Sequence, residues 1–287
     1  MTKSTEPDGV RTRPLRERLA DLAREAVAPV GPNARDATKE EIDALWGHDD
    51  MTPASPTLPI GPLVDLHPAK GPERVTLEGR WITLVPLDPH AHAEALYEGS
   101  NGDAAREGVW AYLFDGPYAS LEEFRATIEA KARSADPLFF AVIDNSSGRA
   151  VGYQTFLRID PPNRVIEVGN IMYTPAMQRT AGATEAQYLF ARYVFEELGN
   201  RRYEWKCNAL NAPSRRAAER FGFKFEGIFR QHMIVKGRSR DTAWFAMLDS
   251  EWPARKAAYE RWLAPDNFDS DGRQKIALSA LMPKGDG

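Results

Sequence analysis

The chain has 287 residues, 43% of them hydrophobic and 27% charged, with a formal net charge of −4. That length suits one large domain or two small ones and is ample for a buried core. No run approaches 18 apolar residues, which argues against a membrane span. The opening MTKSTEPDGVRTRP lacks the apolar stretch of a Sec-type signal. A single cysteine, Cys207, excludes an intrachain disulfide and a cysteine-based zinc site, and no metal is expected. The mildly acidic balance argues against broad nucleic-acid binding, which needs a basic footprint. The expectation is a soluble cytoplasmic protein without membrane or nucleic-acid partners.

Residues 1–72 hold 10 of the 21 prolines but one aromatic residue, Trp46. Two short helices are expected there. Leu15, Leu19, Leu22 and Val27 recur at helical spacing up to Pro29, and Thr38 opens a second helix carrying Ile42, Leu45 and Trp46. The stretch DDMTPASPTLPIGPLVDLHPAKGP is too rich in proline for helix or central strand and reads as a linker or strap. With so few large side chains, this segment is expected to be an extension of the chain and not a second core.

From Glu73 the pattern changes. Residues 81–87 predict a strand, and 89–98 and 120–133 predict helices, the second capped by Ser120 with Glu123 three positions on. Between them lies the aromatic loop WAYLFDGPY, 110–118. Strands follow at 138–143, 150–159 and 165–174, separated by the turns DNSSG and PPN. QRTAGATEA leads into an amphipathic helix with Ala186, Leu189, Phe190, Tyr193, Val194 and Leu198 on one side, stopped by Gly199. A strand at 202–208, a helix at 213–221, strands at 225–235 and 241–249 and a helix at 251–263 complete the order. It is an α/β (α+β) pattern with a mixed, mostly antiparallel sheet. The expected divisions are an N-terminal helical and Pro-rich extension, 1–72, a domain, 73–250, and a C-terminal helix and tail, 251–287.

The segment Val165–Ala186 carries the chemistry. A strand runs through a loop of small residues into a helix, whose first amides lack intrahelical partners and favour anions. That pattern reads either as a phosphate-binding turn or as an ordinary β-α connection.

Gln178-Arg179-Thr180-Ala181-Gly182-Ala183 resembles the acyl-CoA pyrophosphate loop of the GNAT N-acetyltransferases, usually Q/R-x-x-G-x-G/A. Asn211-Ala212-Pro213-Ser214 and Arg220-Phe221-Gly222-Phe223 are similar to the landmarks of that superfamily's next β-α unit. The stretch 228–253 resembles the RimJ/RimL-type branch, whose last hairpin often reads KGR.RD. The likeness covers about residues 75–250. It implies a central sheet splayed at the CoA-binding strand, acetyl-CoA as cosubstrate, and direct attack by an amine without an acyl-enzyme. Cys207 is then a small buried strand residue.

Several roles follow from the resemblance. Backbone amides of Arg179, Thr180, Ala181, Gly182, Ala183 and Thr184 would hold the pyrophosphate, with Gln178 at the start of the same cofactor-binding loop. Ile171 and Tyr173 would bind the pantetheine arm through backbone, with the Ile171 amide as oxyanion donor. Asn211 would contact the arm, cap a helix, or do both. Ser214 would protonate or stabilise the leaving thiolate, the alternative being a first-turn helix serine that satisfies backbone. Glu167 falls where several members place their general base; a carboxylate among Ile166, Val168 and Ile171 would have a raised pKa. The alternative for Glu167 is a strand carboxylate paired with Arg158 or Arg164, and Glu204 and His232 are rival bases. Ala181 replaces the first loop glycine, so the backbone there is expected to avoid positive φ.

Trp110, Tyr112 and Tyr118, with Phe114, would line the acceptor pocket, or some would plug the core. Arg238, Arg240 and Asp241 read as turn and surface charges. The expected function is acetyl transfer to a primary amine on a small molecule: an amino acid, aminoacyl conjugate or toxic amine. The alternatives are protein N-terminal acetylation and a non-catalytic CoA-binding interaction module. The extension is expected to cross the acceptor side or to join two subunits in a homodimer.

Overall fold

The computed structural model describes residues 61–283; the helices expected at 15–27 and 38–46 lie outside the described residues. The chain divides into two units, Met1–Val64 and Asp65–Gly287. In the second, residues 65–73 form neither helix nor strand, in keeping with their prolines. The amides of Ala69 and Lys70 donate to the carbonyls of Pro161 and Leu198 (3.0 and 2.9 Å).

The elements then run β1 (Leu77–Glu78), β2 (Ile82–Pro86), α1 (Pro89–Ser100), α2 (Ala104–Glu107), α3 (Leu121–Arg133), β3 (Leu138–Asp144), β4 (Arg149–Asp160) and β5 (Val165–Tyr173). After these come α4 (Ala181–Arg192), β6 (Arg202–Asn208), α5 (Ala212–Arg220), β7 (Lys224–Val235), β8 (Arg238–Leu248), α6 (Trp252–Leu263) and α7 (Leu278–Leu281). One eight-stranded sheet is ordered β1-β2-β3-β4-β5-β6-β8-β7. Each pairing is antiparallel except β5 with β6, as the sequence reading expects.

The period-two rule explains why the sheet is covered on both faces. In β3, Leu138, Phe140 and Val142 join one apolar cluster while Phe139 and Ala141 join the other. The first cluster gathers α4 and α6; the second gathers α1, Trp110 and α3. Helix α4 is buried from Gly182 to Ala191, because α6 covers the side that the sheet does not. Phe190 stacks on Phe156 with ring centroids 3.9 Å apart. The helix passes into a π turn, Tyr193–Glu197, and Gly199 at φ 73 ends it.

A further tie is polar. The buried Glu185 carboxylate accepts the amides of Arg80 (2.7 Å), Trp81 (2.7 Å) and Ile82 (3.0 Å), fastening the start of β2 to α4. The short elements β1, α2 and α7 are absent from the sequence reading, since two to four residues carry no periodicity. The C-terminal segment packs into the core of the domain. Trp252, Tyr259, Trp262 and Leu278 are buried in the same cluster as α4.

Candidate active site

The site begins with a mismatch in strand pairing. Tyr153 faces Met172 and Thr155 faces Gly169, so Gln154 alone opposes Asn170 and Ile171. This is a β-bulge, with Asn170 at φ 47. A bulge bends its strand, and pairing of β5 with β6 ends at Val168 opposite Trp205. Beyond that point Gly169–Tyr173 has no β6 partner. A cleft of about 640 Å³ opens there, with Gly169, Asn170, Ile171 and Tyr173 on one wall and Trp205, Lys206, Cys207 and Asn208 on the other.

One end of the cleft meets the start of α4. Thr180 caps this helix, its hydroxyl accepting from the Ala183 amide (3.1 Å). Ala181 is the first helical residue, so it takes an ordinary φ; the positive φ falls on Arg179 instead, at 62°. Gly182 is needed for packing, because a Cβ there would stand 2.6 Å from Ile82 Cγ2. The first-turn amides and helix dipole make this end favourable for an anion. Arg220 adds a charge: its Nη1 donates to Thr184 Oγ1 (3.0 Å), and its guanidinium lies over the rings of Phe221 and Trp262. Gln178, Arg179, Ala183 and Arg220 all line the cleft. The Tyr173 carbonyl accepts from Gln178 Nε2 (2.9 Å), which leaves one of its two lone pairs for a further donor.

In the middle of the cleft, Asn211 caps α5 by accepting the Ser214 amide (3.1 Å) and also lines the wall. Ser214 Oγ accepts from the Trp205 indole N–H (3.1 Å). An indole only donates, so the serine keeps its own proton. Cys207, the neighbour within the protein to which Ser214 can give it, is buried; burial pushes its thiol pKa up, and the hydrogen bond with Ser214 pulls it down.

The other end is ionic. Glu167 is buried, and its Oε2 binds Lys206 Nζ (2.8 Å) and Arg158 Nε (3.0 Å). Oε1 takes no hydrogen bond from any described residue and points toward Gly169, where a Cβ would lie 3.6 Å away. Burial holds the Glu167 carboxyl above its ordinary range, against the pull of Lys206 and Arg158. Glu204 is the poorer base. Burial would raise it, but hydrogen bonds from Lys206 and Arg202 outweigh that and hold it below the usual range. His232 is depressed by partial desolvation and by the cations Arg158, Arg240 and Lys206, and its Nδ1 lies 3.0 Å from Thr242 Oγ1.

Two expected pocket aromatics belong elsewhere. Trp110 is fully buried, donating its N–H to the Ser100 carbonyl (2.8 Å). Tyr118 packs edge-on against Trp110 and Phe124 and donates to Asp115 (2.7 Å). A large ring surrounded by apolar neighbours gains more from the core than from a wall, so both are corrected to core plugs. Tyr112 and Phe114 do line the cleft and are partly exposed. Sequence reasoning missed Lys206, Arg220 and Arg240. Arg240 had read as a surface charge, yet it is 7% exposed and lines the cleft. Its place on β8, opposite Met233, was the available signal, because period two puts Arg240, Thr242 and Trp244 on one face.

A sheet parted at a bulge, with a helix start at one end and a buried carboxylate at the other, defines an acyl-CoA-dependent acyltransferase architecture. Residues 82–224 match the acetyltransferase (GNAT) domain family, and the chain belongs to the GNAT N-acetyltransferases, which use acetyl-CoA. It is similar to a GCN5-related N-acetyltransferase from Brucella melitensis, with 54% identity and a TM-score of 0.74, covering 75% of this chain and 97% of that one. A GNAT-family structure from Chromobacterium violaceum ATCC 12472 is 37% identical, with a TM-score of 0.63 over 70% of this chain and 100% of that one. A Bacillus subtilis (strain 168) protein provisionally named a ribosomal N-acetyltransferase, YdaF, is 28% identical over 177 residues, 61% of this chain and 95% of YdaF. Among the described residues, no helix is long and apolar enough to cross a membrane.

Proposed function

We propose that this cleft transfers the acetyl group of acetyl-CoA to the α-amine of a polypeptide by direct attack. The observation that carries the transfer chemistry is the unpartnered Glu167 Oε1 at one side of the strand gap, with the Ser214 hydroxyl at the other. The polypeptide acceptor is supported by the name of YdaF. A small primary amine is the second reading, favoured by the partial roof of Tyr112 and Phe114 over the acceptor end.

Acetyl-CoA supplies an activated thioester. An ammonium group must lose two protons in becoming an amide. Glu167 takes one, freeing the lone pair for attack. The other leaves the tetrahedral nitrogen and restores the hydroxyl of Ser214, which gives its own proton to the departing thiolate. The Ile171 amide, at the bulge, stabilises the oxyanion between these events. The start of α4, with Arg220, holds the pyrophosphate. Residues 1–72 serve as an accessory to the catalytic domain in this reading.

The test measures thiol release from acetyl-CoA against a panel of N-terminal peptides and small amines, with the CoA-induced melting shift as a parallel readout. Glu167→Gln should lower kcat/KM by about 10²-fold or more, and Ser214→Ala should lower kcat on a similar scale, both retaining the melting shift. If every amine fails while CoA still shifts melting, the protein is a CoA-binding module. If only small amines react, the acceptor passes to the second reading.

A further inference from the structure

The acceptor end of the cleft holds a cation that no carboxylate of the described residues touches. Arg240 is 7% exposed, and its Nε is buried without a hydrogen-bond partner. Among the described residues its guanidinium makes no hydrogen bond or ion pair. The Phe114 ring centroid lies 5.5 Å from the guanidinium carbon, and Cys207 and Glu167 attract the charge through space without a hydrogen bond or ion pair to it. A ring face offers attraction to a cation but accepts none of five N–H donors in the manner of an oxygen.

The carboxylates around it make their direct contacts with other groups, and Glu167 reaches Arg240 only through space. Glu167 gives its Oε2 to Lys206 and Arg158. Glu204 is held by Lys206 and Arg202. Asp241, next in sequence, accepts the Gln231 amide (2.7 Å), and Asp115 is paired with Lys131 (2.5 Å). Arg158, Lys206 and Arg240 therefore line the same space with an excess of positive charge, and desolvation together with these cations holds the His232 pKa down. Burying an unpaired charge is costly unless something completes it, and Arg240 lines the cleft that the acceptor must enter.

We propose that Arg240 is the acceptor's anion site, its guanidinium receiving a carboxylate that the acceptor carries beside its reactive amine. The proposal rests on the transfer reading above and narrows it to acidic acceptors. A planar carboxylate matches the guanidinium fork, which a lysine ammonium does not reproduce. Two sources carry that chemistry: the α-carboxylate of a free amino acid, and an acidic side chain directly after the N-terminal residue of a polypeptide. The site is separate from the anion-favouring start of α4, which has its own arginine in Arg220.

Two matched pairs distinguish the sources: alanine against alaninamide, and the tripeptide amide serine-aspartate-alanine against serine-asparagine-alanine. The wild-type protein should prefer the acidic member of one pair by about tenfold in kcat/KM. In Arg240→Gln the ratio should fall to about one, and Arg240→Lys should lie between, since charge survives without the fork. An unchanged CoA melting shift shows that each variant is folded. Equal use of both members of both pairs by the wild type overturns the proposal, as does a preference that survives Arg240→Gln. If no acceptor reacts at all, the transfer reading has failed, and the anion site is decided by binding alone. Calorimetric titration of the two N-acetylated tripeptide amides into the CoA-loaded protein then supports it only if the aspartate form binds more tightly and loses that advantage in Arg240→Gln. Equal binding overturns it.

Discussion

At the end of the cleft proposed to take the coenzyme, the groups on offer are mostly backbone: a capped helix start, a bulged strand and a glycine pressed against Ile82. At the acceptor end they are side chains delivered by β4, β5, β6 and β8, namely Arg158, Glu167, Lys206 and Arg240. The first end depends on how closely α4 approaches the sheet. The second depends on how charges share partners. A helix start suits any ligand with the same diphosphate, whereas a cluster of charged side chains can be retuned by single substitutions. The fold thus keeps its donor fixed and leaves the acceptor adjustable.

Three substitutions sharpen that contrast. Glu185→Ala should have the largest effect, because three amides of the β1–β2 corner lose their shared acceptor. The expected loss is about 3 kcal/mol, or roughly 10 °C in melting temperature for a domain of this size, with weakened CoA binding measured by calorimetry. Lys206→Met should leave CoA binding intact and act on pH dependence. Removing that cation raises the Glu167 pKa further, so its base form appears only at higher pH. The acid limb of the kcat/KM profile should move up by about one pH unit. A limb that stays in place would mean Glu167 is not the base.

Lys236→Ala should have the smallest effect. Its Nζ donates to the carbonyls of Trp110 (2.9 Å), Asp115 (2.8 Å) and Gly116 (2.8 Å), tying the β7–β8 hairpin to the loop that carries Phe114. Loosening that tie should raise KM for the acceptor a few-fold, on the order of 1 kcal/mol, with KM for acetyl-CoA unchanged. An equal rise in both constants would deny that the two ends are independent.

The same contrast explains what could be read from the sequence. Strand β6 falls at the expected residues, and the Ser120, Asn211 and Gly199 signals act where expected. Local periodicity and capping are short-range physics, and the coenzyme end is built from them. The acceptor end is set by pairings across long separations. Lys206 reaches Glu167 across 39 positions, and no local pattern specifies that. The aromatic loop misled for a related reason. Trp110, Tyr112, Phe114 and Tyr118 look alike in sequence, but only the packing of α3 and α1 decides which rings are enclosed. Arg240 misled because a charged residue near a turn is ordinarily solvated.

The cover of α4 has a consequence for how the protein is made. Its outer face is closed by α6, with Tyr188 stacked on Trp252 and its hydroxyl donating to Glu260, 72 positions downstream. Arg220 rests on Trp262 from the same helix. During synthesis the sheet and the coenzyme helix emerge well before that cover does. Until α6 docks, the apolar outer face of that helix would lack its cover and be open to chaperone capture.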